Sequence, residues 1–422
     1  MFKRFFAILL IGACFLFVAC SDVDSSTETE SSQSQNSSSF GDSETNASDV
    51  STDSVGTENS SSINSETNSS SDVSSSTDSN GGDASDSVDE PSITGGFSEV
   101  SVLEGDLIAT SVCTLRNLPV DKAVQRFSVV RNGGKLYIFT TQRSGSTVYL
   151  SRCLYNEKTK IATCLDSVTL PDYGHGESLE VRVRDGKFYV YITSGALKEV
   201  DNAWGTTISR FVYNAGRKID TKTLTDLHCS TENGQTLHEN ATTYRVNFSF
   251  DEVSDRFLIY VRCDTDRSLK NLSHYFVSYR LSDLDRLLDE APGEISMKDC
   301  TSAFMAYHGK ISYKTFCPHG SFQGMDVCSD GTVYITGGAE GQQPQVCRAH
   351  LTEKGLVFDE FCDISEIYAA RVGMDKEYMK TLGILPEIES FQLFEGYCYV
   401  SFNPGSGMKK NNTEVFVLTC VK

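Results

Sequence analysis

From Ser21 to Glu90 the chain has no lysine, no arginine and almost no large apolar side chain. The 26 serines and 16 acidic residues of that stretch cannot bury enough surface to offset the entropy of ordering, so a packed core is excluded there. The apolar run Phe5–Ala19 has 15 residues, short of the ~20 a helix needs to cross a ~30 Å hydrocarbon layer, which argues against a spanning anchor. There is no G-x-S-x-G elbow, P-loop, Rossmann glycine pattern or H-E-x-x-H, which removes the best-marked nucleophile, nucleotide and zinc-hydrolase chemistries. No two cysteines stand as C-x-x-C, and His228-Cys229 and Cys317-x-His319 lack partners at ligand spacing. Neither a metal nor a cofactor is therefore expected. Of the formal charge of −20, sixteen negative charges lie in 21–90. The remainder is only mildly acidic, which excludes a nucleic-acid or anionic-membrane surface.

The N-terminus carries Lys3 and Arg4, then the apolar run, then LFVAC ending at Cys20. This resembles a bacterial lipoprotein signal, which implies lipidation of Cys20, and Ser21 resembles outer-membrane sorting. Residues 1–20 read as the signal, 21–94 as a Ser/Asp/Glu-rich tether and 95–422 as the folded domain. A flexible tether of that length reaches ~45 Å by coil scaling. The expected location is the bacterial cell envelope, extracytoplasmic and lipid-anchored, on the outer membrane or cell surface.

The domain repeats itself. RNGGKLYIFT (131–140), RDGKFYVYIT (184–193), SDGTVYITG (329–337) and FEGYCYVSF (394–402) share a polar turn and an aromatic strand, with EVSDRFLIYV (252–261) a fifth copy lacking the glycine. Each is preceded by a strand such as FSVV (127–130) or SFQL (390–393) and followed by another such as VYLSRC (148–153) or EVFVLTC (414–420). Strand, turn, strand, loop, strand is the meander of a propeller blade, and a ring of blades covers faces that one blade leaves bare. The fold class is all-β, a β-propeller of five blades, with six compatible because residues 282–322 fall outside the repeat. The orphan stretch DLIATSVCTL (106–115) would supply the last blade's fourth strand and close the ring.

Twelve cysteines follow Cys20, an even number that reads as disulfides in an exported chain. Blade alignment pairs Cys153 with Cys164, Cys347 with Cys362, and Cys113 with Cys420. Among Cys229, Cys263, Cys300, Cys317, Cys328 and Cys398 no pairing is fixed, 229–263 and 300–317 being guesses.

One inner-strand position is polar in every copy: Gln125, Glu177, Thr242, Gln323 and Glu389, each two residues before an apolar side chain. Residues two apart share a strand face, so the switch marks where core meets channel. With His175 beside Glu177 and Trp204 as a stacking surface, these residues form a candidate ligand site. The alternatives are backbone satisfaction for the polar ring and core packing for Trp204. Glu177 and Glu389 could also serve as paired carboxylates in glycoside hydrolysis. DISEIYAARVGMDKEYMKTL (363–382) reads as a helical insertion with Asp363 as cap.

HGESLEV (175–181), DGKFYVYITSG (185–195) and WGTTISRFVY (204–213) together resemble the helveticin J family of bacterial proteins. The resemblance implies a five-bladed propeller over roughly residues 120–422 and carries over His175, Gly176, Trp204, Ile208 and Arg210. A tethered lipoprotein does not suit a diffusible toxin, so the expected role is a monomeric, membrane-anchored propeller that binds a glycan or wall polymer. A bacteriolytic effector and a scaffold for protein partners are the alternatives.

Overall fold

The structure, a computed structural model, describes residues 106–421 except 198–201, 230, 237–240, 265–271, 319, 353–354 and 405–413. The expected signal, Cys20 and the tether lie outside the described residues. Strand β1 (Asp106–Arg116) precedes β2 (Val124–Asn132), β3 (Lys135–Ser144), β4 (Thr147–Asn156) and β5 (Ile161–Leu170). Next come β6 (Leu179–Arg184), β7 (Lys187–Ala196), β8 (Gly205–Val212) and β9 (Lys222–Thr225), then β10 (Thr242–Asp251), β11 (Arg256–Asp264) and β12 (Leu272–Arg280). Residues 282–322, unexplained by the repeat, supply most of helix α1 (Leu281–Glu290), β13 (Glu294–Ser296), β14 (Phe304–Lys310) and the short α2 (Tyr313–Phe316). The chain continues with β15 (Phe322–Val327), β16 (Thr332–Gly337), β17 (Gln345–Thr352), β18 (Gly355–Asp363), α3 (Ser365–Val372), α4 (Lys376–Leu382), β19 (Glu387–Phe394), β20 (Tyr397–Asn403) and β21 (Glu414–Val421).

These strands form a β-propeller. The antiparallel meanders are β2–β5, β6–β9, β10–β11–β12–β14, β15–β18 and β19–β20–β21–β1, with β13 adding a parallel edge to β9. As expected, β1 pairs antiparallel with β21 and so joins the two ends of the described chain into one sheet. The hairpins form where the sequence permits left-handed backbone at two successive positions. Asp185-Gly186 (φ 53° and 70°) and Glu395-Gly396 (φ 49° and 79°) are such turns, and their twist matches that of the flanking strands.

Apolar side chains fill the space between neighbouring meanders. Phe139, Leu150, Leu179, Val190 and Phe211 pack between the first and second, and Phe127, Ile138, Tyr399 and Val415 between the last and first. The insertion over 363–382 is two helices rather than one, broken at Gly373 in the left-handed region (φ 68°). Asp375 caps α4, and Asp363 Oδ1 accepts from the Ser365 N–H (2.8 Å). Helix α1 is docked onto the second meander by charge. Asp285, 4% exposed, accepts from Arg210 Nη1 (2.9 Å) and Tyr191 Oη and pairs with Arg182 (2.9 Å).

The inner strands are joined by side chains. At one equivalent level the backbone N–H faces the preceding blade, and each is taken by an oxygen of that blade. Val181 N–H donates to Ser128 Oγ (3.0 Å), Phe248 to Ser178 Oγ (3.0 Å) and Val327 to Ser249 Oγ (3.2 Å). Leu393 donates to Asp326 Oδ2 (2.6 Å) and Val129 to Gln392 Oε1 (2.5 Å). An open strand edge is thereby satisfied without another strand.

Two of the expected cysteine pairs do not meet. The β1–β21 register sets Cys113 opposite Val415 and Cys420 opposite Leu107, because the strands run past one another farther than the blade alignment allowed. Cys347 faces Phe361 and Cys362 faces Val346, so the one-residue offset turns the two thiols to opposite faces of the sheet. Cys153 and Cys164 are direct cross-strand neighbours, present as thiols that hydrogen-bond each other.

Beneath the ring of seams, Ser249 hydrogen-bonds both Glu180 and Asp326. Burial raises both carboxyl pKa values, and the Asp326 charge adds to the rise at Glu180, against the pull of Arg126. Burial also lowers His175 and His274 to about 3 and His308 to about 4, with Arg143, Arg262 and Arg256 respectively adding to it.

Two outcomes follow. Ser128→Ala strands the Val181 N–H in the core and should reduce the unfolding free energy by about 1–3 kcal/mol in a denaturant titration; an unchanged midpoint would show the seams to be incidental. Raised carboxyls stabilise the fold while protonated and lose that contribution as pH climbs through their folded pKa, whereas lowered histidines act only below about 6.5. The melting temperature should therefore drop between pH 6.5 and 8.5, less steeply in Glu180→Gln, and a flat or rising wild-type profile would contradict this.

Candidate functional site

Three of the five polar positions read from the sequence arise from one backbone device. The ladder slips between Val124 and Arg126, Phe322 and Gly324, and Ile388 and Ser390. Gln125, Gln323 and Glu389 are each the extra residue of a bulge, which re-aims that side chain at the strand start. The third inner strand slips between Thr243 and Arg245, so its equivalent is Tyr244 and not Thr242, which pairs with Asp264 two residues upstream. The hairpin turn there, Glu252–Asp255, has four residues where the preceding meander has two, Asp185-Gly186, so counting back from the aromatic strand does not transfer between them. Glu177 precedes β6.

The structure gathers these residues into two linked groups at the strand-start mouth of the channel. In one, Gln125 Nε2 donates to Glu389 Oε1 (3.4 Å), and Gln323 Nε2 donates to Glu387 Oε1 (2.6 Å). Asn403 hydrogen-bonds both carboxyls. Burial, then the Glu387 charge, raises the Glu389 pKa; burial, then the Glu340 charge, raises Glu387. The two acids resist ionising together. Gln125 and Glu387 are half-buried and form the solvent side of this group, and Thr242 is half-buried at the start of β10.

In the other, Trp204 is 2% exposed. The His175 imidazole lies 4.5 Å from it and the Arg245 guanidinium 3.7 Å, a cation–π contact in a dry setting. Trp204 is therefore core and not an open stacking platform. His175 Nδ1 accepts from Arg143 Nη1 (2.6 Å), and the low pKa keeps the ring neutral. Glu177, 2% exposed, lies 3.9 Å from Arg245 Nε, and its carboxylate is met by the backbone N–H groups of Glu177 and Gly205. The backbone N–H groups of Glu177 and Gly205 pull its pKa down, yet burial outweighs them and leaves it raised.

Sequence reasoning missed Arg126, Arg245, Glu387 and Asn403. The two arginines hold the same position in their strands, one residue past the slip, and a charge repeated inside otherwise apolar inner strands was the available signal. Arg126 is fully buried and crosses the channel to Glu180 Oε1 (3.3 Å) and the Met325 carbonyl (2.9 Å). Arg245 Nη2 reaches the Phe322 carbonyl (2.9 Å). The pair of acids considered for hydrolysis, Glu177 and Glu389, is divided between these two groups, with β2 between their strands.

The opposite, hairpin mouth opens into a cavity of 480 Å3 lined by residues of all five inner strands, among them Arg131, Glu180, Phe250, Asp326 and Gln392. A larger hollow of 880 Å3 lies on the outer side of the first meander among Arg116, Tyr155, Glu157 and Lys158, away from the buried acids. Among the described residues no cluster of metal-ligating side chains occurs, and no helix is long and apolar enough to cross a membrane.

Comparison with solved structures finds a mannose phosphorylase from Leishmania mexicana at 12% identity, covering 76% of this chain and 89% of that one, with a TM-score of 0.39. It also finds the Penicillium chrysogenum α-L-arabinanase (10%, 70% and 74%, TM-score 0.35). The Bombyx mori β-fructofuranosidase matches at 11%, over 70% of this chain and 60% of that one, with a TM-score of 0.40. Likenesses this loose transfer no site. No curated protein matches the sequence. The family model described as bacteriocin helveticin-J matches residues 110–417, and the chain belongs to the helveticin J family.

Proposed function

We propose that this propeller is a binding module for a glycan or cell-wall polymer, held at the bacterial envelope by a lipid on Cys20 and the tether of residues 21–94. The observation that carries the reading is the acid–amide group at the strand-start mouth. Glu387 and Glu389 with Gln125, Gln323 and Asn403 offer acceptors and donors side by side, the pattern that matches hydroxyl groups on a sugar ring. The buried Glu177 carboxylate beside Arg245 adds a further acceptor.

Binding is favoured over hydrolysis on geometric grounds. Glu387 and Glu389 lie two residues apart on one strand and are held by neighbouring amides, whereas hydrolysis needs two carboxyls on opposite sides of the scissile bond. A bacteriolytic role is the second reading, supported by the family's description as a bacteriocin.

The full chain is applied to an array of neutral, acidic and amino glycans that includes soluble peptidoglycan fragments. Gln125→Ala and Glu389→Gln should each weaken the bound glycan by about tenfold, which is ~1.4 kcal/mol, with the melting temperature nearly unchanged. A blank array, or variants that bind like wild type, would remove the reading; release of reducing ends from wall material would replace it with the bacteriolytic one. In cells, Cys20→Ala should move the protein from the membrane to the soluble fraction, and continued membrane association would refute the lipid anchor.

A further inference from the structure

We infer that the hairpin mouth of the channel is a second, separate ligand site, built for a primary ammonium carried on a short apolar stem. This inference does not rest on the glycan reading, which concerns the other end of the channel.

Three observations lead there. The first is the space: a cavity of 480 Å3 bounded by the ends of β2, β6, β10, β15 and β19, within the ~300–1,000 Å3 usual for small-molecule sites.

The second is the wall. Val129, Val181, Val183, Phe250, Val327 and Leu393 line it, a collar that excludes water from an alkyl chain.

The third is the charge. Glu180 and Asp326 line the deep end and Asp251, Glu252 and Glu395 also line the cavity, whereas its one lining cation, Arg131, is engaged by Glu395 through Nε and Nη2 (2.6 Å each). Glu252 is met from outside the cavity by Arg182 (3.4 Å), which Asp285 holds more closely (2.9 Å). Arg126 approaches Glu180 from the channel side at 3.3 Å. Five carboxyls thus face three guanidinium groups, two of them shared outward, Arg182 with Asp285 and Arg131 with Glu157.

The groups facing Glu180 are Arg126 from β2, Ser249 from β10 and Asp326 from β15. Burial and the neighbouring acid keep Glu180 protonated above the ordinary carboxylate range. A deep end that retains a proton between two acids can exchange it for a compact cation. An ammonium has three donors and a small radius, so it can meet both carboxyls above Arg126 while its stem lies along the valine collar. The chain's own residues 21–90 cannot be the occupant, for they hold no lysine or arginine.

The test titrates the full chain with n-hexylammonium by calorimetry, with n-hexanol and hexanoate as comparators. Hexylammonium should bind with a Kd on the order of 1 mM, and the two comparators at least about tenfold more weakly. Glu180→Gln should weaken hexylammonium by about fivefold or more, a difference of ~1 kcal/mol. Should Glu180→Gln fail to fold, Val253→Arg decides: Val253 lines the cavity and is 72% exposed, so a cation there repels the ligand without touching the core. Hexanol binding as tightly as hexylammonium, no heat up to 50 mM, roughly the weakest affinity worth calling a site, or full binding by Val253→Arg would each overturn the inference.

Discussion

Everything in this domain depends on how the free edge of each inner strand is satisfied. A blade's innermost strand has a partner on one side only, and its other edge must find acceptors inside the molecule, where an unmade hydrogen bond costs about 1–3 kcal/mol. The chain answers at a single level with Ser128, Ser178, Ser249, Asp326 and Gln392, each serving the blade that follows. That requirement puts polar side chains into strands that are otherwise buried. It also fixes the spacing of the inner strands, and with it the width of the channel. The apolar packing between blades supplies most of the stabilisation, but it is non-directional and would tolerate a slip that these bonds do not.

The same constraint accounts for the charges along the axis. Arg126 and Arg245 occupy equivalent positions, and both reach the backbone of β15, at Met325 and Phe322. Between those carbonyls the equivalent residue of β15 is Gly324, and a Cβ added there would run into Arg126 Nη1. A glycine on one strand is therefore the counterpart of an arginine on another. The ion pair of Arg126 with Glu180 is buried on both sides, an arrangement that rarely adds stability over an apolar equivalent. Its placement across the channel separates a strand-start mouth of amides and acids from a hairpin mouth of valines and acids.

Much of this was legible in the sequence, and the limits have physical causes. The meanders were readable because two-residue left-handed turns such as Asp185-Gly186 leave a local signature. The closing strand was readable because 106–115 alternates like a strand and had no partner nearby. The polar positions Gln125, Glu177, Gln323 and Glu389 were legible because a large apolar side chain stands two residues after each. Thr242 was misplaced because a bulge leaves no mark in composition and the adjoining turn is longer. The cysteine pairs 113–420 and 347–362 failed for a related reason, since a register is set by hydrogen bonds across strands and repeats reveal only the strands. Cys153 and Cys164 do lie opposite each other, because a short loop joins β4 and β5 and leaves little freedom of register, but they are thiols rather than the expected disulfide.

Trp204 shows how far the family resemblance reaches. Of the motif residues, His175 and Trp204 were read as part of a ligand site, yet they stack in the core with Arg245, and Arg210 anchors helix α1 through Asp285. These residues hold the second blade against its neighbours and bring Glu177 close to Arg245. His175, Trp204 and Arg210 thus act as supports, while Glu177 and Glu180 of the same stretch face the channel mouths alongside Glu387, Glu389 and Asp326 from outside it. Glu387 and Glu389 stand on β19 and Asp326 on β15, outside the second blade, so a change at any of them leaves the His175–Trp204–Arg245 stack in place.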